Sequence, residues 1–354
     1  MSHKLAFVGF GTVGQGLAEI LLNKKDELRE ILNEDIQVVA ISDAQKGSLY
    51  HSDGLDLERV LAVVREAGNL NKYPDSPELR RGWDSLQTIR QSNADTVIEV
   101  TFTNVHTGQP AIDHCREAFI NRKNVVTTNK GPIALAYDEL SSLAEKNGVQ
   151  WGFEGTVMSG TPSLRMPLVS LAGNRILSIQ GILNGTTNYI LTKMEEGLTY
   201  DAALKQAQQN GFAEADPTSD VEGYDAMYKI IILAKVIMGV PLKPEEVVRH
   251  GIQNLTNDDI LSAKKQRKRW KLIAKVVRTQ HGIQASVQPE TLDLDHPLAS
   301  VQGVENAITY DCDLSGPVTL VGAGAGKVET GFALLIDIIN LIRRCKESQV
   351  ILGA

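Results

Sequence analysis

The feature that most constrains this chain is six residues long. Gly9-Phe10-Gly11-Thr12-Val13-Gly14 follows the apolar run 5–8 and precedes a long amphipathic stretch, 13–32. Strand, glycine turn and helix in that order fit a dinucleotide site, where each glycine has its own geometric task. The first permits the tight turn, the second admits a pyrophosphate to the backbone, and the third lets helix and strand pack closely. Exposed amides at the helix start then attract phosphate. A second apolar run, 36–41, completes a strand-helix-strand unit, whose right-handed crossover predicts a parallel sheet. Asp43 follows this strand, where a carboxylate accepts hydrogen bonds from ribose hydroxyls and favours NAD; Lys46, close by, favours the 2′-phosphate of NADP. NAD and NADP both stay open.

Further along, strand-like runs at 96–100 and 124–128 flank a helical pattern, 110–121, with Pro110 suited to its first turn. Residues 44–94 are more polar, carry Pro74 and Pro77, and read as an elaborated loop with one helix at 57–67. After about residue 135 the rhythm changes. A helix, a strand at 149–153, a glycine-rich loop and a strand at 176–183 lead into helices that run to Gly239. Strands follow near 272–277, 282–287, 307–310 and 318–321, then a last helix from Thr330 to about Lys346. The expected fold is α/β: an N-terminal Rossmann-type doubly wound parallel sheet (1–135), a mixed α+β substrate-binding and dimerisation domain (136–318), and a segment, 319–354, returning to the first domain.

A length of 354 residues suits two domains, and 42% hydrophobic content suffices for buried cores. Lys and Arg number 36 against 43 Asp and Glu, so no broad basic surface is available to neutralise nucleic acid. The basic run 264–271 reads as a solvated face without function. The most apolar stretch, 230–240, is interrupted by Lys235 and is too short to span a bilayer, and the start shows no uninterrupted signal-peptide segment. Cys115, Cys312 and Cys345 are far apart, with no CxxC pair or neighbouring histidines, which argues against disulfides and structural zinc. These features point to a cytoplasmic protein with a small-molecule substrate and neither a nucleic-acid nor a membrane partner.

The segment 210–229 has an unusual charge pattern, five carboxylates ahead of Lys229. Beyond Gly223 the pattern is helical, so Asp225 and Lys229 share a face; spacing alone fits a surface ion pair worth about 0.3–0.5 kcal/mol. Leu183-Asn184-Gly185-Thr186-Thr187-Asn188-Tyr189-Ile190-Leu191 and Thr127-Thr128-Asn129-Lys130 also occur in order, as does Gly322-Ala323-Gly324-Ala325-Gly326. Together with the glycine turn this set resembles homoserine dehydrogenase over nearly the whole chain.

The resemblance implies interconversion of L-homoserine and L-aspartate 4-semialdehyde with NAD or NADP, on the route to threonine and methionine. Taking hydride from an alcohol carbon requires the hydroxyl proton to leave too, a task suited to a lysine whose pKa is lowered toward operating pH. The resemblance gives Lys229 that role, with Lys130 as a second active-site lysine beside the nicotinamide. Glu214 and Asp225 match the family's substrate-binding acids, while Asp216 and Asp220 are read as helix caps or backbone acceptors. Residues 184–188 form either a polar loop under the substrate or a helix start. Phe10, Thr12, Val13, Thr101, Lys130, Gly211 and Gly326 are implied at the cofactor. Glu154, Val157, Ser159 and Thr161 match a sodium site made mainly of backbone carbonyls, although the family usually carries glycine or alanine at Ser159 and an aliphatic residue at Thr161. A homodimer through the second domain's sheet is also implied. The family's further C-terminal regulatory domain and fused aspartate kinase are not expected, nor is feedback inhibition through them. A phosphorylating aspartate-semialdehyde dehydrogenase would need a cysteine nucleophile, and none of the three is suitably placed. A non-catalytic NADPH sensor would have no use for Lys130, Glu214, Asp225 and Lys229.

Overall fold

The computed structural model describes residues 2–104 and 106–352. Two compact units make up the chain, one running to Gly160 and resuming at Gly326, the other spanning Thr161–Ala325. Boundaries at 135 and 319 were expected.

The first unit has seven strands: β1 (Ser2–Val8), β2 (Asp35–Asp43), β3 (Gly47–Tyr50), β4 (Arg80–Arg81), β5 (Thr96–Glu99), β6 (Asn124–Thr127) and β7 (Trp151–Gly152). Their order is β4-β3-β2-β1-β5-β6-β7. The strands from β2 to β7 in that order are parallel, and β3 pairs antiparallel with both β2 and β4. Leu5, Ala6, Phe7 and Val8 have no exposed surface, as a strand covered on both faces requires. Strand order reverses at β1, which lies between β2 and β5, so the crevice of this open sheet lies at the carboxyl end of β1, where Gly9 stands.

Seven helices belong to this part of the chain: α1 (Thr12–Asn23), α2 (Lys25–Leu32), α3 (Leu57–Ala67), α4 (Ser85–Gln91), α5 (Ala111–Ile120), α6 (Lys130–Asn147) and α7 (Gly155–Met158). The amphipathic stretch 13–32 is broken at Lys24, which caps both α1 and α2. The helix expected at 57–67 is α3, started by the Asp56 carboxylate on the Arg59 amide and stopped by left-handed Gly68. The same polar stretch also supplies β3 and, at the sheet edge, β4, strands of four and two residues with too few apolar positions to form a pattern. The strand expected at 149–153 in the second domain is β7; it pairs in parallel with β6, which keeps α6 and β7 in the first unit.

The second unit has a mixed sheet of β8 (Ile176–Ile182), β9 (Val247–Arg249), β10 (Lys268–Thr279), β11 (Gly282–Asp293), β12 (Glu305–Cys312) and β13 (Gly316–Ala323), in the order β13-β12-β8-β10-β11-β9. Only the pairing of β11 with β9 is parallel. Its helices are α8 (Arg165–Ser170), α9 (Gly185–Glu195), α10 (Tyr200–Gln209), α11 (Thr218–Val221), α12 (Tyr224–Met238) and α13 (Asn257–Lys265). Ile230, Ile231, Ile232, Leu233 and Ala234 of α12 are almost fully buried, so this middle stretch of the helix is apolar all round because it runs through the core.

The basic run 264–271 is not one solvated face. Lys264 and Lys265 close α13, but β10 begins at Lys268, and strand alternation turns Lys271 inward. Its buried Nζ donates to Asn188 Oδ1 at 2.8 Å and to the Val301 carbonyl at 2.5 Å, and burial brings its ammonium down to about 8.

The chain returns to the first unit as α14 (Lys327–Leu352), whose Leu334, Leu335, Ile338 and Ile342 share a core with Leu17 and Leu21 of α1. Among the described residues no helix is long and apolar enough to cross a membrane.

Candidate active site

In the first unit the geometry at the three glycines is distinct at each. Gly9 has φ +93°, and a Cβ there would lie 2.5 Å from the Val100 carbonyl oxygen at the end of β5. A Cβ on Gly14 would approach the Gly9 carbonyl to 3.1 Å, the close contact of helix with turn. Around Gly11 there is open space, and this N-cap of α1 makes no side-chain hydrogen bond to the helix amides. An anion with its own acceptors fits such a helix end.

Asp43, the last residue of β2, holds this turn in place. Its Oδ2 accepts the Phe10 amide at 2.7 Å, and its Oδ1 accepts the amides of Gln45 and Lys46, each at 2.9 Å. Burial pushes the Asp43 carboxyl up, but the amides of Phe10, Lys46 and Gln45 outweigh it and hold the group below the usual carboxylate range. The side chain of Phe10 is buried edge-on against Phe7, so any contact of Phe10 with a ligand runs through its backbone. Thr12 is exposed at the start of α1, and Val13 is half-buried.

Thr101 follows β5, its amide donating to Glu99 Oε1 at 3.3 Å. Lys130 is the first residue of α6, next to Asn129, whose Oδ1 accepts the Gly131 amide at 3.1 Å. Gly326, with φ +138°, leads into α14. Gly211, expected with these residues, lies in the second unit, in a left-handed turn after α10.

The expected sodium ligands straddle the unit boundary, with Glu154, Val157 and Ser159 in the first unit and Thr161 opening the second. Among the described residues no group of three or more His, Cys, Asp or Glu could hold a metal ion; the four expected residues offer hard oxygens only. Ser159 adopts φ +52°, ψ −125°, a conformation that favours glycine and costs about 1–3 kcal/mol for other residues. Its Oγ meets Thr330 Oγ1 at 2.8 Å, and the Thr161 carbonyl already accepts the Ser163 amide at 2.7 Å.

The second unit builds a compact polar cluster from three helix ends. Gly223, at φ +82°, turns the chain into α12, so Asp225 stands in the first turn and Lys229 one turn later. Lys229 is 7% exposed; its Nζ lies 2.7 Å from Asp225 Oδ2 and donates to the Leu183 carbonyl at 2.6 Å. This is not a surface ion pair. Removing one partner of a buried pair typically costs about 3–5 kcal/mol, against a few tenths for the same spacing in water. Asn184 caps α9 through the Thr187 amide at 2.9 Å, and its Nδ2 donates to Asp220 Oδ1 at 2.7 Å and to Asp225 Oδ2 at 3.0 Å. Residues 184–188 are therefore a helix start, and one that reaches the buried lysine through its own cap.

Asp220 is more than a local cap. Asp216 binds neighbouring backbone, accepting the Thr218 amide at 3.1 Å ahead of α11, whereas Asp220 joins Asn184 in the cluster. Burial, then the charge of Asp225, raises the Asp220 carboxyl above the 3.8 of a free aspartate, against the pull of Asn184, Lys229 and Thr186. Sequence spacing hid this because Asn184 lies 36 residues away. Glu214 sits exposed on the loop after α10, a loop tied down through its backbone by Gln208 and by Thr186, which donates to the Phe212 carbonyl at 2.6 Å. No cysteine offers a ready thiolate: burial and Glu99 push Cys115 up, and burial with flanking aspartates does the same to Cys312.

Two outcomes follow from this geometry. Gly11→Ala meets only open space and should leave denaturation stability within about 0.5 kcal/mol of the parent, yet weaken NADH binding at least about tenfold. Gly16→Ala, whose Cβ would strike the Lys327 carbonyl, should cost about 1–3 kcal/mol of stability. Equal NADH affinity in Gly11→Ala and the parent would contradict the first expectation.

The raised Asp220 carboxyl gives a pH test. Between 3.8 and its raised value the folded chain keeps a proton that the unfolded chain has released, so stability falls as pH rises through that window and levels off above it. Asp220→Asn keeps the acceptor oxygen for Asn184 and lacks this titration. Urea titrations from about pH 4 to 7 should therefore show the variant gaining on the parent as pH rises; parallel stability curves would refute the assignment.

Comparison with known proteins covers both units. Residues 9–154 match the family model for the homoserine dehydrogenase NAD-binding domain, and residues 162–339 match the model for homoserine dehydrogenase. The chain is 42% identical over 350 residues to the NAD(+)-dependent homoserine dehydrogenase of Pseudomonas canavaninivorans, covering 98% of each chain. It is 43% identical over 344 residues to the homoserine dehydrogenase of Methanocaldococcus jannaschii, covering 97% of this chain and 99% of that one. A hyperthermophilic archaeal homoserine dehydrogenase solved in complex with NADPH superposes with a TM-score of 0.82 at 32% identity, covering 97% of this chain and 98% of that one. A glycine turn built for a pyrophosphate, a buried lysine paired with an aspartate, and these likenesses along the full length lead to one conclusion: the chain belongs to the homoserine dehydrogenase family of NAD(P)-dependent oxidoreductases.

Proposed function

We propose that this chain interconverts L-homoserine and L-aspartate 4-semialdehyde, with Lys229 as the acid-base group. The observation that carries this reading is the set of contacts its Nζ makes. A lysine has three N–H donors, and contacts with Asp225 and the Leu183 carbonyl use two of them, which leaves one for a substrate oxygen. Bound NAD(P) supplies or accepts the hydride. In the reductive direction Lys229 donates its proton to the aldehyde oxygen, where negative charge develops, and in the oxidative direction it takes the hydroxyl proton back. Asp225 aligns that ammonium and, with Glu214, supplies anionic acceptors for the ammonium of the amino acid. Lys130 stands at the nicotinamide end with Thr101.

The glycine turn, with Phe10, Thr12 and Val13, receives the pyrophosphate, and Gly211 and Gly326 bring further backbone to the cofactor. Asp43 has lone pairs beyond those its three amides use, enough for a ribose hydroxyl, and its ionised carboxylate opposes a 2′-phosphate. This favours NAD over NADP. The same reading carries a sodium ion on the carbonyls of Glu154, Val157, Ser159 and Thr161, and a homodimer through the second unit's sheet. Sodium-dependent turnover and a solution mass twice the 38.6 kDa of one chain are the measurements for these two.

The deciding experiment is an initial-rate comparison of NAD and NADP with L-homoserine at alkaline pH. The parent should reduce both, with the higher kcat/KM for NAD, and Lys229→Ala should lose at least about 100-fold in kcat while still binding NADH. No reduction of either coenzyme would defeat the reading. Full activity in Lys229→Ala would move the acid-base role to Lys130.

A further inference from the structure

We infer that Glu99 is the positioning residue for the nicotinamide end of the cofactor, a buried carboxylate that locks the two loops carrying Thr101 and Lys130 to one another. The inference rests on the proposed role of those two residues at the cofactor. Glu99 ends β5 and has no exposed surface. A carboxylate so buried persists only where its oxygens are used. Here Oε1 accepts the amide and the hydroxyl of Thr101 and meets His114 Nδ1 at 3.3 Å, and Oε2 accepts the Thr127 hydroxyl at 3.1 Å. His114 is itself held from its far side, Nε2 lying 2.8 Å from Ser85 Oγ.

Both loops leave this carboxylate and meet again beyond it. Thr127 Oγ1 accepts the Asn129 amide at 2.9 Å, and Asn129 Nδ2 donates to the Phe102 carbonyl at 3.2 Å. A Cβ on Gly131 would lie 2.6 Å from Gly108 Cα, so the loop after β5 rests directly on the start of α6. Lys130 sits between these two crossings, with Asn129 and Gly131 as its neighbours. Apolar side chains would suffice to pack this sheet end. A carboxylate that binds Thr101 on the one loop and Thr127 at the strand end from which the other loop departs instead fixes where both loops begin, and hydride transfer is sensitive to misplacements of about 1 Å.

Glu99→Gln keeps the shape and replaces one acceptor oxygen by an amide donor. The expected result is a fall in kcat of about 10- to 100-fold with a KM for L-homoserine within about threefold of the parent. The deuterium isotope effect on kcat with C4-dideuterated homoserine should rise, because hydride transfer becomes the slow step. A merely structural role would lower stability and leave the isotope effect unchanged, as expected for Lys123→Met, which removes a buried ammonium bound to the Ser92 and Ala94 carbonyls of the same unit. Should Glu99→Gln fail to fold, Thr127→Val must show the same kinetic change and Thr127→Ser must restore parental behaviour. NADH fluorescence gives a readout that needs no turnover: the enhancement of nicotinamide emission on binding should fall by about half in the variant at saturating NADH. Parental kcat, isotope effect and emission in Glu99→Gln would overturn the inference. A parent that binds NADH but does not oxidise homoserine would instead overturn the proposed reaction, with the emission experiment still deciding Glu99.

Discussion

An ammonium taken out of water must be paired, and much of the second unit is organised around doing this for Lys229. The idealised cost of burying an unpaired charge is tens of kcal/mol, so a lysine at this depth needs an anion and a carbonyl within reach. Asp225 supplies the first from the preceding turn of α12, where the helix dipole also favours a carboxylate. Leu183 supplies the second, at the junction of β8 and α9. Asn184, in capping α9, then ties Asp220 and Asp225 together. Three helix starts thus share one electrostatic problem. The stability of their local fold and the readiness of one N–H for chemistry have the same origin.

The first unit solves a different problem, presenting bare amides to an anion without letting the turn that carries them collapse. The left-handed Gly9 and the tight Gly14 set its path, while Asp43 holds the Phe10 amide from the neighbouring strand. The three amides that Asp43 braces also hold its carboxyl below the usual carboxylate range. At the other end of the crevice Glu99 repeats the device, with one buried carboxylate joining loops that arise from adjacent strands.

The parts legible in the sequence were those encoded by local spacing. The glycine turn, the parallel strands around it, the helix at 57–67 and the four-residue step from Asp225 to Lys229 each leave a short-range pattern. What spacing could not show was depth. The Asp225–Lys229 step looks the same on a solvated helix, and only the burial of α12 takes it out of water. Lys271 is the same lesson reversed, a lysine in a basic run that strand alternation carries inward. The wider links of Asp220 and Glu99 escaped for another reason, since Asn184 lies 36 residues from the one and Thr127 28 residues from the other, and no local pattern announces such pairs. The unit boundary at Gly160 was missed because β7 has only two residues, and its place in the first sheet comes from pairing with β6.

The central claim is that this chain moves a hydride between nicotinamide and C4 of a four-carbon amino acid. Its most direct test runs in the reductive direction, with L-aspartate 4-semialdehyde and nicotinamide coenzyme carrying deuterium on the transferred face. The account predicts homoserine with one deuterium at C4, seen by proton NMR as a CHDOH group formed in step with coenzyme oxidation. Coenzyme oxidation without deuterium at that carbon, or recovery of unchanged semialdehyde, would contradict it.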